Sequence, residues 1–285
     1  MPPLNLNLNL KIDAHQHFWK FDTFRHSWIN EEMKVIRKDF MPADLEPLLQ
    51  AAGIDGCVLV QVDQSEDEND FQLENAREHD FIKGVVGWVD LQSPDIAGKL
   101  THYKRYPKLK GFRHILQGEK DRALMLKPAF QRGIGALRGF GYTYDILIFP
   151  DQLGYARDFT AAFPDQPFVI DHVAKPYIKE KKLTAEWKAA IRAVAAQENV
   201  YCKISGMVTE ADFKNWKPEE LRPYIDTVVE AFGTGRIMFG SDWPVCLVAA
   251  SYERWYELLK EYFSRFSDTE QAAFFGGNAI QFYNL

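Results

Sequence analysis

From residue 11 almost to the C-terminus, short runs rich in β-branched and aliphatic residues alternate with longer runs of helical period. No other feature narrows the fold as far, because strands separated by helical crossovers pair in parallel within one sheet. The strand candidates are residues 11–18, 56–62, 82–90, 109–116, 143–149, 167–173, 200–206 and 236–241, eight in all. Residues 42–52 carry Leu45, Leu48, Leu49 and Ala52 at steps of three and four, one apolar stripe along a helix that Gly53 then stops. A second stripe, Trp187, Ile191, Val194 and Ala195, runs through 184–197, with Thr184 available as N-cap and Glu186 near the positive end of the helix dipole. A helix over 251–266 closes the series, and one further helix, ending over 274–278, reads as a packing cap. Eight strand–helix pairs in about 250 residues match an α/β fold, the (β/α)8 TIM barrel, with an additional C-terminal helix. An open, doubly wound sheet shares the alternation and competes with it.

By the rule of ~100–200 residues per domain the chain could hold one domain or two. No Gly/Ser-rich or Pro-rich linker divides its 285 residues, which favours a single domain over 1–285. Leu and Asn alternate over 4–11 with a period of two, so this stretch is either a strand or a frayed leader. The composition, 46% hydrophobic and 26% charged, is that of an ordinary folded protein. A net charge of −6 without a basic cluster argues against nucleic acid as a partner, since binding a phosphate backbone depends on grouped Lys and Arg. The nearest basic run, 104–110, is interrupted by Tyr106, Pro107 and Leu109 and reads as a solvated helix end. Cys57, Cys202 and Cys246 lie far apart, form no C-x-x-C pair and cannot all be bridged, which suits a reducing compartment. There is no secretory signal and no run of ~18 apolar residues, so a cytoplasmic location away from membranes is expected.

Residues suited to chemistry fall at the ends of the predicted strands. Asp13-Ala14-His15-Gln16-His17 ends the first, and residues two apart on a strand point the same way, so both imidazoles face one side. Neutral imidazole is a common zinc donor. His172 lies at the end of the sixth strand and Asp242 follows the eighth, where Pro244 terminates regular structure. Each alone is explained as a buried histidine or a turn aspartate. A barrel, however, brings all strand ends to one mouth, and there His15, His17, His172 and Asp242 become candidate ligands of a metal ion. In Gly111-Phe112-Arg113-His114 strand alternation lets only one of Arg113 and His114 face inward. Arginine's planar fork suits a substrate carbonyl or carboxylate, or else a structural ion pair. The long segment 19–41 becomes an active-site loop carrying Trp28. With Trp28, the residues Gln61, Trp88, Asp90, Arg113, His114 and Ser205 are the candidate substrate contacts.

Taken together, His15-x-His17, Gly111-Phe112-Arg113-His114, Asp171-His172-x-x-Lys175-Pro176, Lys203-Ile204-Ser205-Gly206 and Gly240-Ser241-Asp242-Trp243-Pro244 resemble the amidohydrolase superfamily. Within it they are similar to the amidohydrolase 2 group, notably its sugar lactonases of the L-fuconolactonase and L-rhamnonolactonase type. Any one of these motifs is unspecific, whereas five in order over residues 11–278 are not. The resemblance implies a TIM barrel with its site at the C-terminal strand ends. It makes His15 and His17 the first-strand pair, His172 the sixth-strand histidine, and Asp242 the aspartate that handles the water proton. The superfamily's fullest metal pattern adds a bridging ligand on strand four and a histidine on strand five. Here strand four offers Arg113 and His114, and 143–149 has no histidine, which disfavours a binuclear centre. One divalent ion, zinc foremost, is the implied cofactor; some lactonases of this branch work without one. The implied activity is hydrolysis of a small-molecule sugar lactone, following a sugar dehydrogenase, with Asp242, His172 and Arg113 catalytic. Decarboxylation of an aromatic or unsaturated acid is the alternative on the same barrel, and a non-catalytic sugar-binding barrel the alternative of another class.

Overall fold

The computed structural model describes residues 10–285, so nearly all of the alternating Leu/Asn stretch lies outside the described residues. Eight parallel strands run in chain order around one sheet: β1 (Ile12–Gln16), β2 (Gly56–Val60), β3 (Ile82–Gly87), β4 (Leu109–His114), β5 (Thr143–Ile146), β6 (Phe168–Ile170), β7 (Val200–Ile204) and β8 (Ile237–Phe239). The sheet closes because the segment after β8 bonds back to β1: the Asp242 amide donates to the His15 carbonyl (2.8 Å) and the His17 amide to the Trp243 carbonyl (2.7 Å). The fold is therefore the (β/α)8 barrel and not the open sheet.

The outer helices are α1 (Pro42–Ala52), α2 (Glu66–Glu78), α3 (Ile96–Tyr103), α4 (Pro128–Phe140), α5 (Leu153–Ala161), α6 (Ala185–Ala195), α7 (Pro218–Phe232) and α8 (Tyr252–Phe263). Gly53 ends α1 in the left-handed conformation (φ 65°), and Thr184 caps α6 by accepting the Trp187 amide at 3.1 Å. Beyond α8 the tail forms two helical pieces, α9 (Asp268–Ala272) and α10 (Asn278–Tyr283), joined by a wide π-type turn over Ala273–Gly277. Among the described residues no helix is long and apolar enough to cross a membrane.

The strands are shorter than their apolar runs suggest, and all stop early at the C-terminal end. Beyond β6, for example, His172 to Lys175 take positive φ (47° to 58°) and leave the sheet in a left-handed turn, although Val173 and Ala174 stay fully buried. Burial in the core beneath the helices, not strand pairing, accounts for these apolar residues.

Alternation sorts the strand residues into two cores. On β2, Cys57 and Leu59 join the outer core beneath the helices, while Val58 and Val60 join Ile12, Ala14, Val86, Val169 and Met238 inside the barrel. Ile280, Phe282 and Tyr283 of α10 pack into that inner cluster. In the same phase, Arg113, Asp145 and Lys203 point inward from β4, β5 and β7, forming a polar layer beneath the mouth together with Asp171 after β6.

Candidate active site

A β-bulge decides where the His-x-His pair points. Asp13 pairs with Cys57 and Gln16 with Leu59, so β1 spends three steps where β2 spends two. Gln16 consequently joins the outward set, donating to Cys57 Sγ, and the pair His15 and His17 turns inward although Ala14 already does. Without the extra residue, the phase begun at Ile12 and Ala14 would send both imidazoles out of the barrel.

His17 Nδ1 donates to the Val60 carbonyl at 2.7 Å, which leaves Nε2 as the ring nitrogen that faces the interior and could ligate a metal. That nitrogen lies 3.2 Å from Asp242 Oδ1 and 3.2 Å from His15 Nε2. Asp242 reaches it from a left-handed residue (φ 56°) whose amide is held by His15. His172, also left-handed (φ 52°), brings Nε2 to 3.9 Å from the same carboxylate oxygen, and its Nδ1 lies 2.8 Å from Ser205 Oγ. Gly206 (φ 60°) leaves the space for that ring, since a Cβ there would sit 2.5 Å from His172 Nδ1. Four successive left-handed non-glycine residues are costly, and such strain gathers at functional sites.

The polar layer below is balanced. Lys203 Nζ lies 2.6 Å from Asp145 Oδ2 and 3.0 Å from Asp171 Oδ1, and Arg113 Nη1 donates to Asp171 Oδ2 at 3.0 Å. Two cations thus face two carboxylates, and Asp242 is left with imidazoles as its side-chain partners. Burial holds His15 well below its usual 6.5 and brings His172 down to about 4, so neither ring carries charge at neutral pH. Burial pushes the Asp242 carboxyl up, yet the group is held below 3.8 by the pull of His172 and His17, a pull those imidazoles exert when they carry a proton.

An electron-rich Nε2 and a carboxylate oxygen at 3.2 Å need a proton or a metal ion between them. The donor separations of His15, His17 and Asp242, 3.2, 3.2 and 3.9 Å, bracket the ~3.3–3.4 Å edge of a tetrahedron with ~2.0–2.1 Å zinc bonds. These three residues fit a divalent ion. A second grouping, His15, Asp171 and His172, is also close enough, but Asp171 is already spent on Lys203 and Arg113.

Above the triad opens a cavity of about 260 Å³, with Asp242, His17, His172 and Arg113 on its floor side and Trp28 and Leu147 among its walls. His15 lies beneath it, fully buried, and Ser205 stands behind His172. Arg113 is the inward member of its pair. His114 faces outward against Phe130 and bonds Glu119 at 2.8 Å and Trp88 Nε1 at 3.3 Å. Trp88 and Asp90 do not line the cavity; Asp90 instead accepts the Gln92 amide at 3.0 Å. The Gln61 side chain is fully buried and braces β4, donating to the Arg113 carbonyl at 3.0 Å. Asp145 and Lys203, which strand-end position alone does not mark, fall on the inward phase of their strands. Lys175 also borders the cavity, paired with Glu210 at 3.0 Å.

A closed (β/α)8 barrel with imidazoles and an aspartate converging at the C-terminal ends of its first, sixth and eighth strands defines a class of barrel enzymes acting on small molecules. The chain belongs to the amidohydrolase family, in its amidohydrolase 2 group: a family model described as Amidohydrolase matches residues 12–285. It is 41% identical to an L-fucono-1,5-lactonase of Burkholderia multivorans (strain ATCC 17616 / 249), covering 97% of this chain and 96% of that protein. A second L-fucono-1,5-lactonase, of Burkholderia ambifaria, is 36% identical over 98% of this chain and 97% of its own. The crystal structure of a Burkholderia multivorans amidohydrolase with bound Zn superposes with a TM-score of 0.94 at 41% identity, covering 97% of this chain and 99% of that one.

Proposed function

We propose that the chain hydrolyses a sugar lactone to the aldonic acid, with L-fucono-1,5-lactone the first substrate to test. The observation that carries this reading is the Asp242 carboxylate, 3.2 Å from His17, at the floor of a cavity of small-molecule size. The resemblance to two lactonases along almost the whole chain supports it.

Ring opening needs a water made nucleophilic, a donor for the carbonyl oxygen and a proton for the leaving alkoxide. Asp242, held ionised, takes a proton as the water oxygen bonds to the lactone carbon, then returns it to the ring oxygen as the C–O bond breaks. Arg113, which borders the cavity, would steady the developing oxyanion. His172 can donate from Nε2 when Ser205 donates to its Nδ1. His15, His17 and Asp242 would hold a divalent ion, with zinc our assignment and His172 a further candidate ligand. Such an ion, when bound, eases loss of a proton from water and polarises a carbonyl.

Trp28 serves as the aromatic wall against the sugar ring. We take the chain to be one cytoplasmic domain in sugar-acid catabolism, acting after a sugar dehydrogenase; the three cysteines are all unpaired. A pH-indicator assay over stereoisomeric 1,4- and 1,5-lactones, with metal analysis of the same sample, tests the reading. Acid release well above the spontaneous rate is expected. No acceleration on any lactone overturns it, and carbon dioxide release from an aromatic acid would favour the decarboxylase.

A further inference from the structure

Lys203 has relative exposure of 0% in the middle of a barrel that could have been filled with aliphatic side chains. Burying an ammonium is costly unless it is paired, and here two carboxylates and an imidazole surround it. They are Asp145 Oδ2 at 2.6 Å, Asp171 Oδ1 at 3.0 Å and, above, His15 Nδ1 at 3.1 Å. Asp145 is in turn bonded from below by the Tyr283 hydroxyl, at 2.8 and 3.0 Å from its two oxygens. Tyr283 ends α10, which Asn278 fastens to the barrel floor by donating to the Thr234 and Ile237 carbonyls at 2.8 and 2.6 Å. A continuous polar chain therefore runs from the C-terminal helix to the first imidazole of the site.

We propose that Tyr283, Asp145 and Lys203 are positioning residues that fix the His15 ring, so that docking of the C-terminal helix completes the active site. Simple packing does not account for the chain. Ile280 and Phe282 already supply the apolar contacts of α10, and a buried ion pair stabilises a fold no better than hydrophobic residues of the same volume. What the chain adds is direction. Asp171 Oδ1, 3.3 Å from His15 Nδ1 and 3.0 Å from Lys203 Nζ, is the carboxylate that faces the Nδ1 hydrogen in the tautomer whose Nε2 is free to ligate. Lys203, anchored by Asp145, fixes that carboxylate, and Gly240 leaves room beside the ring, where a Cβ would meet His15 Cβ at 2.8 Å. Partners behind a metal-binding imidazole set its orientation, and their loss commonly weakens metal affinity ~10–100-fold.

The inference rests on reading His15 as a ligand in the proposed function, and its test is separable from lactone turnover. Wild type, Tyr283→Phe, Lys203→Met and a packing control, Phe282→Leu, are titrated with cobalt(II), following the visible ligand-field spectrum and the thermal midpoint. Tyr283→Phe, which removes one hydroxyl and keeps the ring, is expected to weaken cobalt binding about 3–10-fold, and Lys203→Met about 10–100-fold with an altered spectrum. Where lactone turnover is measured, kcat falls while KM stays within about twofold. Phe282→Leu lowers the midpoint and leaves affinity and spectrum unchanged. A wild-type protein that binds no cobalt overturns the proposal, as do Tyr283→Phe and Lys203→Met proteins with wild-type affinity and spectrum. Should Lys203→Met fail to fold, Tyr283→Phe decides alone. Absence of lactone turnover in the wild type would count against the function and leave the cobalt result to judge this chain.

Discussion

Replacing Gly206 by alanine adds one methyl group and should cost both stability and turnover. The position has φ 60°, so any L-residue there pays about 1–2 kcal/mol for the left-handed conformation. The new Cβ would lie 2.5 Å from His172 Nδ1 and 2.6 Å from its Cγ, roughly 1 Å inside ordinary contact. His172 cannot yield easily, since it is buried and its backbone belongs to the left-handed turn. Overpacking of this kind typically costs ~1–3 kcal/mol, giving a total of about 2–5 kcal/mol. At ~2–4 °C per kcal/mol for a protein of this size, the midpoint should fall by about 4–20 °C. Displacing a catalytic group by ~1 Å can cost ~10²-fold, so kcat/KM on the best lactone should drop on that scale at 25 °C, where the variant remains folded. Thermal scanning and a pH-indicator assay on the same preparation measure both. A Gly206→Ala protein that is destabilised yet turns over within threefold of wild type would falsify the role given to His172.

Other consequences can be measured independently. Ser205→Ala deletes the 2.8 Å contact to His172 Nδ1; kcat should fall about tenfold and stability by no more than ~1 kcal/mol, and an unchanged kcat would free His172 from its tautomer partner. Dialysis against dipicolinate should remove most activity, with recovery on adding one equivalent of zinc. Full activity without metal would mean that the imidazoles and Asp242 act directly on substrate. Glu68 supplies a pH signature in stability: burial pushes its carboxyl from 4.5 to about 7, against the pull of the Val62 amide and the Gln72 side chain. The folded state holds this proton more tightly than the unfolded chain, so the contribution is full below pH ~4.5 and is lost as pH rises through ~7, at about 1.4 kcal/mol per unit. Denaturant titrations from pH 5 to 7.5 should show that decline in wild type and a flatter profile in Glu68→Gln; parallel profiles contradict it.

The barrel was legible because alternating β and α segments leave few closed arrangements, and α1 and the Thr184 cap of α6 were read from spacing alone. The convergence of His15, His17, His172 and Asp242 followed once strand ends were placed at one mouth. What local pattern could not supply was phase. The β1 bulge that turns His15 inward is a register event, visible only when β1 is paired with β2. The choice between Arg113 and His114 is likewise settled by the pairing of β4 with β5, which puts Tyr144 outward and Asp145 inward. Asp145 and Lys203 could have been found by carrying the alternation through β5 and β7. Tyr283 could not, since its partner lies 138 residues away and is reached only when α10 packs across the barrel floor. Gln61 and His114 both stand near strand ends, where position alone does not show that their side chains bond the Arg113 carbonyl and Glu119.

The central claim is that Asp242 moves the proton in a hydrolytic ring opening. It is tested most directly by comparing wild type and Asp242→Asn on L-fucono-1,5-lactone, with turnover followed by pH indicator and ligand binding by calorimetry on the same preparations. Wild type should accelerate ring opening well above the spontaneous rate, and the variant should lose about 10²–10⁴ in kcat with ligand affinity largely retained. A variant that turns over as fast as wild type would contradict it.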